Sequence, residues 1–514
     1  MKRPNLVVLM ADQLAPHFLG AYGHKAAKTA HIDALAARGM RFDAAYCNSP
    51  LCAPSRFAFM SGQLISRIAA YDNASEFCAS VPTFAHYLKA LGYRTCLSGK
   101  MHFVGPDQKH GFEDRVTTDI YPADFAWTPD WEAADERIDK WYHNMATVKE
   151  SGVAVATFQT DYDDEVAFAA RRWLINRGRD RAGGDDTPFC LVASFIHPHD
   201  PYVAKPEWWD LYADDEIDMP DVVLAPEEQD PFSRRVMDGI EASTVPLSAA
   251  DIRRARRAYL ANVSYFDSKV GAVITTLEEI GALEETIVVV TADHGDMLGE
   301  RGLWYKMNFF EHSARVPLIF AGPGIAQGTA RQACALVDLL PTFLEIAGGG
   351  PDLLGGPIDG RSLMPLARGG DDPVDEAIGE YCAEMTPWPV FMIRRGPLKY
   401  IHCDIDPPQL YDLDADAQER VNRAADPAYA EAARGFAAEV TARWDSAVLR
   451  QDVIRTQKAR RALHAAMEAG AGEPWDYNPP RNASNEYVRN HMDWTAAAAR
   501  YRLPPLKGEP DGHA

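Results

Sequence analysis

NLVVLMA, residues 5–11, is a short unbroken apolar run that ends on one carboxylate, Asp12. A strand buried on both faces of a parallel sheet reads this way, because it has no solvent side toward which to alternate. FCLVASF at 189–195 and TIVVVT at 286–291 repeat the pattern, the second closing on Ala292-Asp293-His294-Gly295. Helical patterns lie between them. One is PTFAHYLKALG at 82–92, with Pro82 inside its start and Gly92 at its end; another runs over about 251–281 behind a Ser248 or Asp251 cap. Strands alternating with helices predict an α/β doubly wound fold, whose ligand sites gather at the carboxyl ends of the strands.

Around 349–375 the composition turns to Gly, Pro and Asp, the mark of a domain boundary. VFMIRRGPLKYIHC at 390–403 then reads as a hairpin turning near Gly396-Pro397, with a helix over about 427–449. The expected organisation is a catalytic domain at 1–372, a smaller α+β domain at 373–450 and an extension at 451–514. The segment 485–494 carries Tyr487, His491, Met492 and Trp494, apolar enough to predict contact with a second copy, in a dimer or tetramer.

The chain has 514 residues and a formal net charge of −22, which argues against nucleic acid or an anionic membrane as partner. Its eight cysteines are scattered without a CxxC pair, as in a protein of a reducing compartment. The opening MKRPNLVVLMADQ has too short an apolar run, and ends in the wrong residue, for a signal peptide. No apolar run of about 20 residues is present. A cytoplasmic protein is expected.

Asp12 and Asp293 each follow a buried strand, and with His294 they can converge on one divalent ion. SPLCAPSR, residues 49–56, puts Cys52 at the start of a predicted helix, where the helix dipole favours an anion, and puts Arg56 one turn on along the same side. The loop-rich stretch 120–152 adds Trp127, Trp131, Trp141, Tyr142 and His143 in no regular period.

CAPSR matches the C-x-P-S-R signature of the type I sulfatases. Gly92-Tyr93-Arg94-Thr95 leading to Gly99-Lys100-Met101-His102 is similar to that family's second signature, and Asp12, His197-Pro198-His199, Asp293-His294-Gly295-Asp296 and Lys306 follow in family order. The resemblance spans about residues 1–400. It implies an alkaline-phosphatase-like large mixed or parallel sheet flanked by helices, plus a smaller C-terminal α+β domain. It also implies that a formylglycine-generating enzyme oxidises Cys52 to formylglycine, and that one divalent ion is held by Asp12, Cys52, Asp293 and His294. A hydroxyl of the aldehyde hydrate would attack sulfur, and the second hydroxyl would expel sulfate from the covalent intermediate. Lys100, Lys306 and Arg56 would neutralise the sulfuryl oxygens. His102 would be the base of the second step and His199 the acid for the leaving group, with His197 as its rival.

Two positions depart from the common pattern: Gln13 stands where a second aspartate is usual, and His294 where asparagine is. Nitrogen favours Mn²⁺ over Ca²⁺, with Mg²⁺ a further candidate. This pairing resembles the choline-sulfatase and phosphonate monoester hydrolase branch, in which Asn73, Trp127, His143, Asn144 and Glu384 would contact substrate. A trimethylammonium group donates no conventional hydrogen bond and is held by aromatic faces and carboxylates. The expected reaction is hydrolysis of a small alkyl sulfate monoester, choline sulfate before others. Phosphonate or phosphate ester hydrolysis and arylsulfatase activity on the same site are the alternatives, and a non-catalytic binding protein on this scaffold is a remote one.

Overall fold

The computed structural model describes residues 3–133, 143–472 and 474–505. Trp141 and Tyr142 of the predicted aromatic segment lie outside the described residues. Among the described residues the large sheet has eight strands: β1 (Asn5–Asp12), β2 (Met40–Phe42), β3 (Arg94–Gly99), β4 (Asp114–Arg115), β5 (Phe189–Pro198), β6 (Thr286–Ala292), β7 (Leu318–Ala321) and β8 (Gly328–Ala330). Their order is β8-β2-β7-β6-β1-β5-β3-β4. β1 runs parallel to both neighbours, with Val8 opposite Val192 on one side and Val289 on the other. β7 runs antiparallel to β6 and β2, so the sheet is mixed. Every residue of β1, β5 and β6 is buried, which is why these strands show no alternation.

Among the helices are α1 (Cys52–Ser61), α2 (Phe84–Ala90), α3 (Phe158–Ala182), α4 (Ala249–Glu279) and α5 (Ala430–Arg443). α3 and α4 pack on each other and on β5. The α4 start is a capping box in which Ser248 Oγ accepts from the Asp251 amide and the Asp251 carboxylate accepts from the Ser248 amide. All ten residues of α1 are buried, so this helix is a core element rather than an amphipathic surface one.

A second, four-stranded antiparallel sheet follows: β9 (Glu376–Tyr381), β10 (Val390–Arg395), β11 (Leu398–His402) and β12 (Gln409–Asp412). β10 and β11 turn at Gly396, whose φ of 55° suits glycine. α5 covers this sheet through Phe436 and Val440, which join Phe391, Ile393, Tyr400 and Leu410 in a core of their own.

The single helix expected over 427–449 is broken. α5 ends at Arg443, Trp444 is extended, and a new helix, α6 (Ser446–Ala469), begins behind Asp445. Asp445 accepts from the Val448 amide at 2.9 Å, a side-chain cap that competes with continuing the helix. Trp444 stacks on Phe391 at 4.4 Å and donates to Glu380. The segment beyond α6 folds back on the large domain. Trp475 meets Phe125 edge-on, Arg115 lies over Tyr477, and the Tyr501 carbonyl accepts from Arg179. Tyr487 and Trp494 stay 50% and 72% exposed. No helix among the described residues is long and apolar enough to cross a membrane.

Candidate active site

β6, β1, β5 and β3 are neighbours, so their carboxyl ends deliver Asp293-His294, Asp12, His199-Asp200 and Lys100 to one place. At Gly99, φ is 103° and a Cβ would stand 1.9 Å from the Ser194 carbonyl oxygen; only glycine lets β3 press on β5 there and turn Lys100 inward. Gly295 is constrained likewise, with the His312 carbonyl 2.0 Å from a would-be Cβ. α1 enters from the side and puts Cys52 at its first residue.

Asp12, Cys52, Asp293 and His294 offer ligand atoms that all lie within 4.8 Å of one another, and all four residues are buried. Cys52 Sγ is 3.3 Å from His294 Nε2 and 3.9 Å from Asp12 Oδ1. His294 Nδ1 lies 3.0 Å from the Gly295 carbonyl, the contact that reserves Nε2 for a ligand role. Burial pushes the His294 imidazole down to about 4, so it is neutral at pH 7. Two carboxylates, a neutral imidazole and a sulfur, or the oxygen that would replace it, form a donor set that could hold one divalent ion.

Arg56 grips both carboxylates from behind. Nε donates to Asp293 Oδ2 and Nη2 to Asp12 Oδ2, each at 2.9 Å, while Nη1 donates to the Lys100 carbonyl and Ser194 Oγ. Lys100 Nζ donates to Asp12 Oδ2 as well. Burial works against the Asp12 charge, but Lys100, His199 and Arg56 hold its carboxyl well below the usual range. Burial and the Asp12 charge push the Cys52 thiol up to about 11.

On the open side, Lys306 Nζ donates to Gln13 Oε1 at 2.6 Å and lies 2.9 Å from His199 Nε2. His199 Nδ1 is 2.6 Å from the Asp200 carbonyl, and burial and Lys306 keep the ring neutral. Gln13 Nε2 in turn donates to Asp296 and Asp200. The glutamine that replaces a carboxylate thus ties Lys306 to two acids. His197 does not share this place: its Nδ1 pairs with Asp163 at 2.7 Å.

His102 is buried beside Tyr121 and Trp127, with ring centroids 5.1 and 5.8 Å away, and neither ring nitrogen has a partner among the described residues. Burial, with Lys100 and Arg56, holds its pKa well below the usual value. Gln13, His102, Tyr305 and Met307 all have φ between 58° and 72°, a left-handed backbone that is costly outside glycine and collects at functional sites.

The remaining predicted positions occupy three places. Asn73 Oδ1 accepts from the Ala53 amide at 3.0 Å and so caps α1 beside Cys52. His143 stacks on Tyr305 at 4.5 Å, and its Nδ1 faces Asp200 at 3.3 Å. Asn144 uses Oδ1 to accept from the Ala146 amide, and its carbonyl accepts from Tyr305. Glu384 is 5% exposed, Oε2 has no partner among the described residues, and burial pushes its carboxyl up to about 7.

Sequence reasoning missed Asp119, which accepts from the Met101 and His102 amides and from Arg115. It also missed Asp200, Tyr121 and Tyr305. Asp200 follows His197-Pro198-His199 directly, a signal that was there to use; the other three stand in no motif.

The family model described as Sulfatase matches residues 4–349, well over half of the chain. The chain belongs to the sulfatase family. Two further matches to this sulfatase are to the C-terminal part of N-sulphoglucosamine sulphohydrolase, over 299–444, and to the choline sulfatase enzyme C terminal, over 451–503. The sulfatase is 46% identical over 512 residues to the choline-sulfatase of Rhizobium meliloti (strain 1021), covering 98% of this chain and 99% of that one. It is 26% identical over 444 residues to an arylsulfatase of Clostridium perfringens (strain 13 / Type A), covering 80% of this chain and 90% of that one. In fold it is similar to the phosphonate monoester hydrolase of Agrobacterium radiobacter, with a TM-score of 0.68 over 88% of this chain and 96% of that one at 23% identity. The sulfatase is a sulfuric ester hydrolase.

Proposed function

We propose that this sulfatase hydrolyses choline sulfate to choline and sulfate. Glu384 carries the reading. Its carboxyl is buried with one oxygen unpartnered among the described residues, its pKa is pushed up to about 7 by burial, and it feels the charges of Asp72 and Lys306. Such a group is costly unless a cation meets it. A trimethylammonium supplies the charge without needing hydrogen bonds, and Tyr121 and His143, both against His199, with Trp127 edge-on to Tyr121, offer aromatic faces. The near full-length identity to a choline-sulfatase supports the same conclusion.

A divalent ion, Mn²⁺ or Ca²⁺ with Mg²⁺ as a further candidate, would be held by Asp12, Asp293, His294 and residue 52. When bound it supplies Lewis-acid stabilisation of the oxygens that gain charge. Converted to formylglycine, residue 52 supplies a hydrated aldehyde as nucleophile in place of the thiol. Asp12 and Asp293 are already balanced by Arg56 and Lys100, so a divalent ion leaves the pocket positive. That local surplus draws a sulfate ester into a chain of net charge −22.

In this reading Lys100 and Lys306 stabilise charge developing on the sulfuryl and leaving oxygens. His199 Nδ1 donates to the Asp200 carbonyl, so Nε2 of the neutral ring carries no proton of its own and accepts from Lys306; the Lys306 ammonium supplies, through Nε2, the proton that goes to the departing choline oxygen. His102, neutral with unpartnered nitrogens, takes the proton in the step that frees sulfate. Arg56 acts differently from the reading made on sequence. Its guanidinium is bound to the two carboxylates, so it positions and ionises them rather than meeting the sulfuryl group.

Cys52 is 1% exposed, so a formylglycine-generating enzyme would have to read CAPSR before α1 is packed. All eight cysteines are free thiols, which supports a reducing, cytoplasmic setting. The exposed Tyr487 and Trp494 support a homo-oligomer built through the C-terminal segment.

The deciding experiment compares choline sulfate with 3,3-dimethylbutyl sulfate, which keeps the shape and loses the charge. The charged ester is expected to have clearly the higher kcat/KM, by a margin that Glu384→Gln reduces. Equal efficiency for the two esters, or a preference for aryl sulfates or phosphonate esters, would overturn the reading.

A further inference from the structure

Glu384, Trp127 and Asn73 come from three segments far apart in the sequence, and each of those segments is tied to one face of α6. Arg460, 6% exposed, forms a bidentate pair with Asp72, Nη1 to Oδ1 at 2.6 Å and Nη2 to Oδ2 at 2.7 Å, and its Nη1 reaches Thr128 Oγ1 at 3.4 Å. Asp72 precedes Asn73, and Thr128 follows Trp127. One turn back, Gln457 Oε1 accepts from the Trp131 amide at 2.9 Å, and Trp131 Nε1 donates to the Ala383 carbonyl at 2.8 Å, beside Glu384. Two turns further back, Arg450 donates to the Pro387 carbonyl and lies over the Trp388 ring. Residues 450, 453, 457 and 460 repeat at three- and four-residue steps, so they form one stripe of the helix.

A stripe of this kind ordinarily holds a helix down with apolar side chains, as Val453 and Ile454 do here. A buried guanidinium–carboxylate pair is no better at that, because the cost of desolvating both charges offsets most of their attraction. What a bidentate pair adds is direction and register. We propose that Arg460 and Gln457 are positioning residues for the cation side of the site: from α6 they set the Asp72–Asn73 and Trp127–Trp131 segments, and through Trp131 the Ala383–Glu384 segment, relative to one another. The proposal rests on the choline sulfate reading above. It makes the helix that opens the C-terminal region a specificity element, remote from the sulfur chemistry.

The test uses the full-length, metal-loaded enzyme with Arg460→Met, Arg460→Lys and the double variant Asp72→Asn/Arg460→Met, which leaves no lone buried charge if the single variant folds poorly. For Arg460→Met and for the double variant, kcat/KM for choline sulfate is expected to fall about tenfold, chiefly in KM, while that for 3,3-dimethylbutyl sulfate stays within about threefold. Arg460→Lys should recover part of the difference, and the two substitutions of the double variant should not add. If either Met variant keeps the wild-type ratio between the two esters, or loses both activities equally, the proposal is overturned. Wild-type enzyme that shows no preference for the charged ester would instead remove the choline sulfate reading, and this inference with it.

Discussion

Two regions of the proposed site are built in different ways. The sulfur side is assembled by adjacent strand ends and the first turn of a buried helix: Asp12, Asp293, His294, Lys100 and Cys52 arrive where the sheet itself places them. The cation side is assembled by loops. Trp127 and Glu384 have no strand to aim them and lie on segments held through side chains of Asp72, Trp131, Gln457 and Arg460, while His143 is held by Tyr305 and Asp200. The first half is rigid because the core is rigid. The second is only as well placed as the α6 seam that gathers it, and this leads us to expect chemistry and specificity to separate under mutation.

The largest separation should come from the sulfur side. Cys52→Ser keeps a small side chain at the start of α1 and removes the thiol proposed to be oxidised, so kcat should fall by about a thousandfold or more on charged and neutral esters alike. Steady-state rates together with the mass of the peptide containing residue 52 check this. A serine variant within tenfold of wild type would mean that the thiol-derived group is not the nucleophile.

Arg56→Lys sharpens the same half. It keeps the charge but loses the fork that spans Asp12 and Asp293, so the divalent ion should bind about 10- to 100-fold more weakly, with most of kcat restored at saturating metal. Metal titration monitored by activity and by elemental analysis separates the cases. Unchanged metal affinity with a lost kcat would return Arg56 to direct contact with the sulfuryl oxygens.

On the cation side, Glu384→Gln should raise KM for choline sulfate about tenfold and leave the neutral ester nearly unchanged. Burial lifts this carboxyl to about 7, so it is neutral below that pH and charged above it. Only the charged form attracts the trimethylammonium. KM for choline sulfate should therefore fall as pH rises through about 7, and this dependence should vanish with 3,3-dimethylbutyl sulfate and in the glutamine variant. An identical pH profile for both esters would remove Glu384 from substrate recognition.

The smallest effect belongs to Trp127→Leu. Losing one aromatic face costs the cation about 0.5–2 kcal/mol, a few-fold to about thirtyfold in KM with kcat nearly unchanged. A fall in kcat instead would show that Trp127 serves His102, whose ring it meets edge-on.

The sulfur side was readable because strand-end chemistry is local in sequence. A buried run followed by Asp12, or by Asp293-His294, announces both the strand and the residue at its mouth, and CAPSR carries its own helix start. Three strands of the large sheet, β1, β5 and β6, the cap at Ser248 and the Gly396 turn were readable for the same reason: period, caps and turn residues act within a few positions. The helix expected to run through 444 and 445 was misjudged because Asp445 caps a new helix while Trp444 finds a stacking partner in Phe391 from another element. Tyr305 and the role of Gln13 were missed because their partners are supplied by chain far away; Asp119, whose partners Met101, His102 and Arg115 are near it in sequence, was missed because it stands in no motif.

Residue types and spacing alone thus determined the α/β class and the sulfatase resemblance, which in turn implied a metal-ligand set, since both follow from interactions between near neighbours along the chain or from signatures a few residues long. The tertiary structure decided what each charged group does. It bound Arg56 to the carboxylates, tied Gln13 to Lys306, turned His197 toward Asp163 and gave His199 the open face of the site. It also buried Glu384 with an oxygen that has no partner among the described residues, and joined its loop to α6 through Trp131. A charge takes its role from burial and from the partners within a few ångströms, and those are set only when distant segments pack.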